Sequence, residues 1–285
     1  MSMNPYNAFS EKWDLEDQPP SNAPIFLFAS IWRSGSTLLQ RLLCSNPDLI
    51  LWGEPYTDTA ILPRMAEASK AILQESWLTP EHFISDNEVM KNLSEYWIAN
   101  LYPPPQTYQN ACRAMVDTLF RYPAEENGFS RFGFKEVRHS VDVAQFLQWI
   151  YPDARFIFLI RNPWDCWASY RGASWYLEYP NILIESIEDF ARLWVKNLSS
   201  FLKWHDDSGM LIRYEDLISP NFSLQQLEAH CKLPNISPDP LKQKVRGVNY
   251  KPSDPNSEEA FILADICGAL AESFGYFGQR DTRDF

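Results

Sequence analysis

The chain is poor in everything that would make it a disulfide scaffold, a zinc protein or a membrane protein. It has five cysteines, Cys44, Cys112, Cys166, Cys231 and Cys267, widely separated and with no C-x-x-C pair. An odd, scattered set of thiols points to reduced cysteines in a cytoplasmic protein and away from a metal knuckle. No stretch of about twenty apolar residues occurs anywhere, and the opening MSMNPYNAFSEKWDLEDQPP lacks the basic and apolar regions of an export signal. The expectation is a soluble, unexported chain with no membrane insertion. Basic charge is scarce as well: 25 Lys and Arg face 37 Asp and Glu, a net charge of -12. That balance argues against nucleic acid or an anionic membrane surface as a general partner. Any anionic ligand must therefore be held by local cations against an unfavourable overall field. Internal repeats and low-complexity tracts are also missing.

What is present is a large apolar fraction, 45% of residues, with 15% aromatic. A chain of this length can bury about three quarters of its unfolded surface in one domain. Short apolar runs alternating with longer amphipathic segments predict an α/β class. The runs are Ile25 to Phe28, Arg131 to Glu136, Arg155 to Ile160 and Met210 to Ile212. Helices are expected at 58–76, 80–101, 107–121, after Val141, from Asn162-Pro163 to Arg171, at 187–205, 223–231 and 258–274. Pro80 after Thr79 suits a first helical turn, and Pro103 to Pro105 break the run before the next helix. Residues 1–23 read as an N-terminal arm pinned by Trp13. Residues 24–285 read as one α/β domain with a helical insertion at 57–130. The segment 232–257, with Lys242, Lys244, Arg246 and Lys251, reads as an active-site loop.

The organising stretch is PIFLFASIWRSGSTLLQRLLCSNPDLILWGEPY, residues 24–56. An unbroken apolar run, as of a parallel strand buried on both faces, leads through small residues into a helix marked by Leu38, Leu39, Leu42 and Leu43. Gly35 permits close backbone approach, so N–H groups can converge on an anion at the helix start. Aligned with the nucleotide loop G-x-x-x-x-G-K-[ST], Ser30 takes the first glycine, Ser36 the lysine and Thr37 the final position. The loop's lysine is missing, and Arg33 supplies the cation from another side. A second stretch, LIRNPWDCWASYR at 159–171, puts Arg161 at a strand end and Ser169 two turns up the following helix, where a guanidinium fork and a hydroxyl can meet one anion. Each residue alone has an ordinary structural reading, such as an Arg161 pair with Asp165. The combination at this interval does not.

Arg33-Ser34-Gly35-Ser36-Thr37, the Arg161/Ser169 pair and RYEDL at 213–217 resemble, in order and spacing, the motifs of sulfotransferases that use 3′-phosphoadenosine 5′-phosphosulfate (PAPS). The resemblance covers roughly 24–56, 132–175 and 208–231. It implies a three-layer P-loop-type domain with a central parallel sheet and helical insertions. It implies PAPS as the cofactor, 3′-phosphoadenosine 5′-phosphate (PAP) as the product, in-line transfer and no required metal. Arg33, Ser34, Gly35, Ser36 and Thr37 would hold the 5′-phosphosulfate, and Arg161 with Ser169 the 3′-phosphate. RYEDL would be architectural. Glu54, in LWGEPY, matches the glutamate base of carbohydrate- and protein-type members. The K-x-H segment of the cytosolic small-molecule branch is not kept: Lys135 is followed by Val137, with His139 four residues on as the runner-up base. Lys135, or Arg138, would meet the acceptor or the bridging oxygen. Arg246 would close over the 3′-phosphate.

The acceptor is expected to be a small-molecule, carbohydrate or lipid hydroxyl, or an amine. Trp77, Phe83, Tyr96, Trp97, Tyr102 and Tyr108, in the helical insertion, suit either core packing or an acceptor pocket for a sugar, a phenol or a lipid alcohol. A P-loop kinase or NTPase is the main alternative, disfavoured by Ser36 in place of lysine and by the lack of a strand-end Asp suited to Mg²⁺. A non-catalytic nucleotide-binding module is the other.

Overall fold

The computed structural model describes residues 4–56, 59–74, 94, 101–171, 184–242, 254 and 256–276. Five short apolar segments pair into one sheet: β1 Ile25–Ala29, β2 Leu49–Trp52, β3 Arg131–Glu136, β4 Arg155–Ile160 and β5 Gly209–Arg213. Their order is β2-β3-β1-β4-β5, and every pairing is parallel. Each residue of β1 is buried, as expected of a central strand covered on both faces. Close approach of β1 and β3 depends on Gly133, where an added Cβ would lie 1.7 Å from the Ile25 carbonyl oxygen.

The strand order creates the crevice. From β1 the chain passes through α2, Ser36–Leu43, to the β2 edge, and from β3 it passes through α6, Val141–Ile150, across β1 to β4. The two crossovers run in opposite directions, so a right-handed connection places them on opposite faces. At the carboxyl ends of β1 and β4 the chain therefore diverges, which is where open α/β sheets bind ligands.

The remaining helices complete the two outer layers. They are α1 Pro5–Lys12, α3 Ile61–Gln74, α4 Pro105–Val116, α5 Tyr122–Glu126, α7 Pro163–Tyr170, α8 Ile187–Phe201, α9 Tyr214–Leu217, α10 Leu224–Cys231, α11 Asp239–Lys242 and α12 Glu258–Glu272. The expected N-terminal arm contains α1, capped by the Asn4 side chain, which accepts from the Tyr6 N–H at 3.1 Å. Tyr6 is fully buried and donates to the Ala66 carbonyl at 3.2 Å, so Tyr6 and Phe9 anchor the arm more deeply than Trp13. Pro105 opens α4 at its first turn. The helix expected to end at Arg121 runs on: one π-helical turn, Asp117–Arg121, joins α4 to α5. Buried Asp117 accepts there from Arg121 Nε at 2.7 Å and from the Tyr151 hydroxyl at 2.8 Å. The expected helix at 80–101 falls outside the described residues, as do Trp77, Phe83, Tyr96, Trp97, Lys244, Arg246 and Lys251. All five cysteines are free thiols. Among the described residues no helix is long and apolar enough to cross a membrane.

Candidate functional site

The loop between β1 and α2 continues the sheet for one bond, Ser30 N–H to the Leu159 carbonyl at 2.9 Å, and then turns sharply. Arg33 and Gly35 both occupy the left-handed region, with φ of 65° and 89°. Gly35 is the N-cap of α2, and the next N–H groups, of Ser36 and Thr37, have no acceptor within the helix. A side chain at Gly35 is disfavoured by its positive φ and by a clash: its Cβ would lie 2.2 Å from Cδ2 of Tyr214. The hydroxyls of Ser30 and Ser34 are buried and have no hydrogen-bond partner among the described residues. Small, unsatisfied donors thus surround a helix N-terminus, as an anion requires.

Two guanidinium groups and a hydroxyl complete this half of the site. Arg33 Nε donates to Ser169 Oγ at 2.8 Å, which leaves the serine proton available to a further acceptor. Arg161 donates through Nη1 to the Arg33 carbonyl at 2.9 Å. Its guanidinium lies 4.4 Å from the centre of the Tyr214 ring. Burial and the neighbouring Arg161 both push the Arg33 pKa below the ordinary arginine value. No ion pair to Arg33 occurs among the described residues, so the loop concentrates positive charge in an acidic protein.

The other half lies across β3 and β2. Lys135, one residue from the end of β3, forms a salt bridge with Glu54, two residues beyond β2. Alternation along the strand sends the next residue, Glu136, to the opposite face. There it is fully buried and binds Arg138 and His139, whose Nε2 is 3.3 Å from Oε2. Burial raises the Glu136 pKa, but His139 and Arg138 outweigh it and hold the carboxyl at about 2. His139 therefore faces Glu136, and Lys135 faces Glu54. Thus Arg33, Ser34, Gly35, Ser36, Thr37, Arg161 and Ser169 gather at the β1 and β4 ends, and Glu54 and Lys135 at the β2 and β3 ends. Arg246 lies outside the described residues.

Sequence reasoning did not single out the latch beneath this arrangement. Trp194, Asn197 and Ser200 recur at three-residue intervals on α8, so they share one face. Trp194 Nε1 donates to the Arg161 carbonyl at 3.1 Å, and Asn197 Nδ2 to the Ser30 carbonyl at 3.0 Å. Ser200 Oγ accepts from the Val141 N–H at 3.0 Å. In turn they grip the chain beyond β4, β1 and β3, in the spatial order of those strands. A fully buried asparagine within an apolar stripe was the available signal. RYEDL, expected to be architectural, forms a second clamp. Glu215 accepts from the Asn162 N–H at 3.0 Å and from the Tyr276 hydroxyl at 2.7 Å, while the Tyr214 ring covers both Gly35 and Arg161.

Comparison with known proteins follows the geometry. No curated protein is a match for the sequence. Among solved structures, the Sulfotransferase Domain from the Curacin Biosynthetic Pathway aligns at 18% identity with a TM-score of 0.50, covering 92% of this chain and 99% of that one. The Sulfotransferase Domain from the Synechococcus PCC 7002 Olefin Synthase gives 18% and 0.47, covering 92% and 97%. Sulfotransferase STF9 from Mycobacterium avium gives 15% and 0.45, covering 95% and 82%. At such identity the first of these speaks for the fold alone. A family model described as "Sulfotransferase family" matches residues 24–238. Since that match takes in all five strands and well over half of the residues, the chain belongs to the sulfotransferase family.

Proposed function

We propose that the protein moves a sulfuryl group from PAPS to a hydroxyl or amine of a small-molecule acceptor. The observation that carries this reading is the meeting of Arg33, Ser169 and Arg161 at the N-terminus of α2. The donor set suits a ligand with two separated anionic groups. Arg33, Ser34 and the N–H groups of Gly35, Ser36 and Thr37 would hold one, and Arg161 with the Ser169 hydroxyl the other. The buried, unpartnered hydroxyls of Ser30 and Ser34 are consistent with an anion at this loop.

When bound, PAPS supplies a sulfuryl group attached to a phosphate leaving group. Glu54 would take the proton that the acceptor oxygen releases as it attacks. The salt bridge to Lys135 orients that carboxylate and sets a cation beside the reacting atoms. Arg33 and the loop N–H groups offset charge that builds up during transfer. A thermal-shift comparison of PAP with Mg-ATP tests the donor. At a hundred times its dissociation constant PAP should add about 2.7 kcal/mol of stability, while Mg-ATP adds none. Stabilisation by Mg-ATP and not by PAP would overturn the reading in favour of a kinase-like site.

A further inference from the structure

Helix α12 and Tyr276 lie beyond residue 238, where the family match ends, yet they brace the helix that carries Ser169. Trp164, on the first turn of α7, donates through Nε1 to the Ala260 carbonyl at 3.2 Å. Arg171, just past the end of α7, forms an ion pair with Glu259. Both partners stand on the first turn of α12, so one end of that helix holds α7 at its start and at its finish. The other end of α12 closes with a Schellman cap. The Gly275 N–H donates to the Glu272 carbonyl at 2.9 Å and the Tyr276 N–H to the Ala271 carbonyl at 3.0 Å, with Gly275 left-handed at φ 70°.

This cap fixes where the Tyr276 side chain goes. The residue is buried, the Arg213 guanidinium lies 5.0 Å from its ring centre, and its hydroxyl donates to Glu215 Oε2 at 2.7 Å. Burial, and then Glu215, push the Tyr276 pKa well above its ordinary value, so the hydroxyl keeps its proton at neutral pH and stays a donor. The other Glu215 oxygen accepts from the Asn162 N–H at 3.0 Å. Asn162 follows Arg161 directly and caps α7, its side chain accepting from the Trp164 N–H at 2.9 Å. The chain is thus pinned at the residue between the strand end that carries Arg161 and the helix that carries Ser169.

Glu215 also places a negative charge behind a site that has to attract one. Asp165, on the first turn of α7, feels it together with Arg161: burial raises the Asp165 pKa, Arg161 lowers it and Glu215 raises it. The charge of Glu215 reaches Arg213 as well. A carboxylate at that range is a rival for the guanidinium groups, because a bidentate pair with arginine is among its strongest contacts. Tyr276 and the Asn162 N–H occupy one Glu215 oxygen each, and both bonds are charge-assisted. Without the Tyr276 hydroxyl one oxygen of a part-buried carboxylate has lost its donor. A turn towards either arginine then draws the carboxylate off Asn162, and a turn towards Arg161 also takes from the crevice the cation that an anion needs.

We infer that Tyr276 is a positioning residue for the anion site: by holding Glu215 against Asn162 it keeps the Arg161 guanidinium turned to the crevice. The inference rests on the reading of Arg161 as a ligand of the 3′-phosphate. Calorimetric titration with PAP and with adenosine 5′-phosphate tests it in the natural protein, Tyr276→Phe, Glu215→Gln and the double variant. Tyr276→Phe should weaken PAP binding about tenfold and adenosine 5′-phosphate binding less than about twofold, because only PAP reaches Arg161. In the Glu215→Gln background the same change should cost PAP less than about threefold, since the carboxylate through which it acts is gone. Equal losses for the two nucleotides, or the full PAP loss with Glu215→Gln in place, would reduce Tyr276 to an element of stability and overturn the inference. Nitrogen-15 NMR of the natural and Tyr276→Phe proteins gives a readout that needs no nucleotide. The Asn162 amide and Arg161 Nε resonances should both move, and two unmoved resonances would overturn the inference as well. Failure of the donor reading has a separate signature: PAP binds neither protein while those two resonances still move.

Discussion

The two halves of the crevice are built by different physics. At the β1 and β4 ends, Arg33, Arg161 and Ser169 bond to one another and to backbone. Asn197, Trp194 and the Tyr214–Glu215 clamp hold the supporting segments in place. At the β2 and β3 ends stands one part-buried ion pair, Glu54–Lys135. Recognition of phosphate-like groups depends on direction, so its donors must be fixed to within a hydrogen bond. On the proposed reading the half at β1 and β4 is specified atom by atom, whereas the half at β2 and β3 rests on a single ion pair.

If the halves are separable, substitutions should divide between them. The largest effect expected is on turnover: Glu54→Gln should lower it about 100-fold or more, with the PAP thermal shift intact. A parallel loss of PAP binding would merge the two halves. Next is Arg161→Ala, which should cost roughly 2–4 kcal/mol in calorimetric binding of PAP and little for adenosine 5′-phosphate. Equal losses for both nucleotides would make Arg161 architectural. Asn197→Leu, alike in branching though larger, strands the buried Ser30 carbonyl and should cost about 1–3 kcal/mol in urea unfolding. If the latch positions the loop, PAP affinity should fall as well. Unchanged PAP affinity would reduce the latch to a stability element.

The last test concerns Glu136, which belongs to neither half. Its folded pKa is depressed to about 2 from an ordinary 4.5. The stability it contributes is thus complete above 4.5 and is lost as pH falls towards about 2. Urea midpoints across that window should drop in the natural protein and stay flatter in Glu136→Gln. Equal slopes would show that the buried carboxylate is not linked to acid unfolding.

Legibility in the sequence follows the same division. Buried parallel strands such as Ile25–Ala29 announce themselves as apolar runs, and the loop around Gly35 as small residues before a leucine-rich helix. Arg161 and Ser169 were visible because strand end and helix lie within one local stretch. Asn197 was not, since its partner is a backbone carbonyl 167 residues away, and periodicity shows that a face is buried without showing which polar group on it meets a strand end. Glu136 was hidden by standing beside Lys135: strand alternation separates their faces, but their partners come from elsewhere in the chain. Helix α1 escaped because only Tyr6 and Phe9 of its residues are buried, too few for a periodic signal. The π-helical turn after α4 leaves no compositional mark.

Strand β1 also sets a condition on how the molecule is made. All five of its residues are apolar and buried, yet both of its neighbours come from far down the chain, β3 at Arg131–Glu136 and β4 at Arg155–Ile160. Translation at about 5–20 residues per second leaves IFLFA without a strand to pair with for roughly 5–20 s after it is synthesised. Long-range parallel pairing is also intrinsically slow. The segment that begins the anion loop is consequently one the nascent chain must shield, and the bond that continues the sheet into the loop, Ser30 to Leu159, waits until the ribosome has passed the middle of the protein.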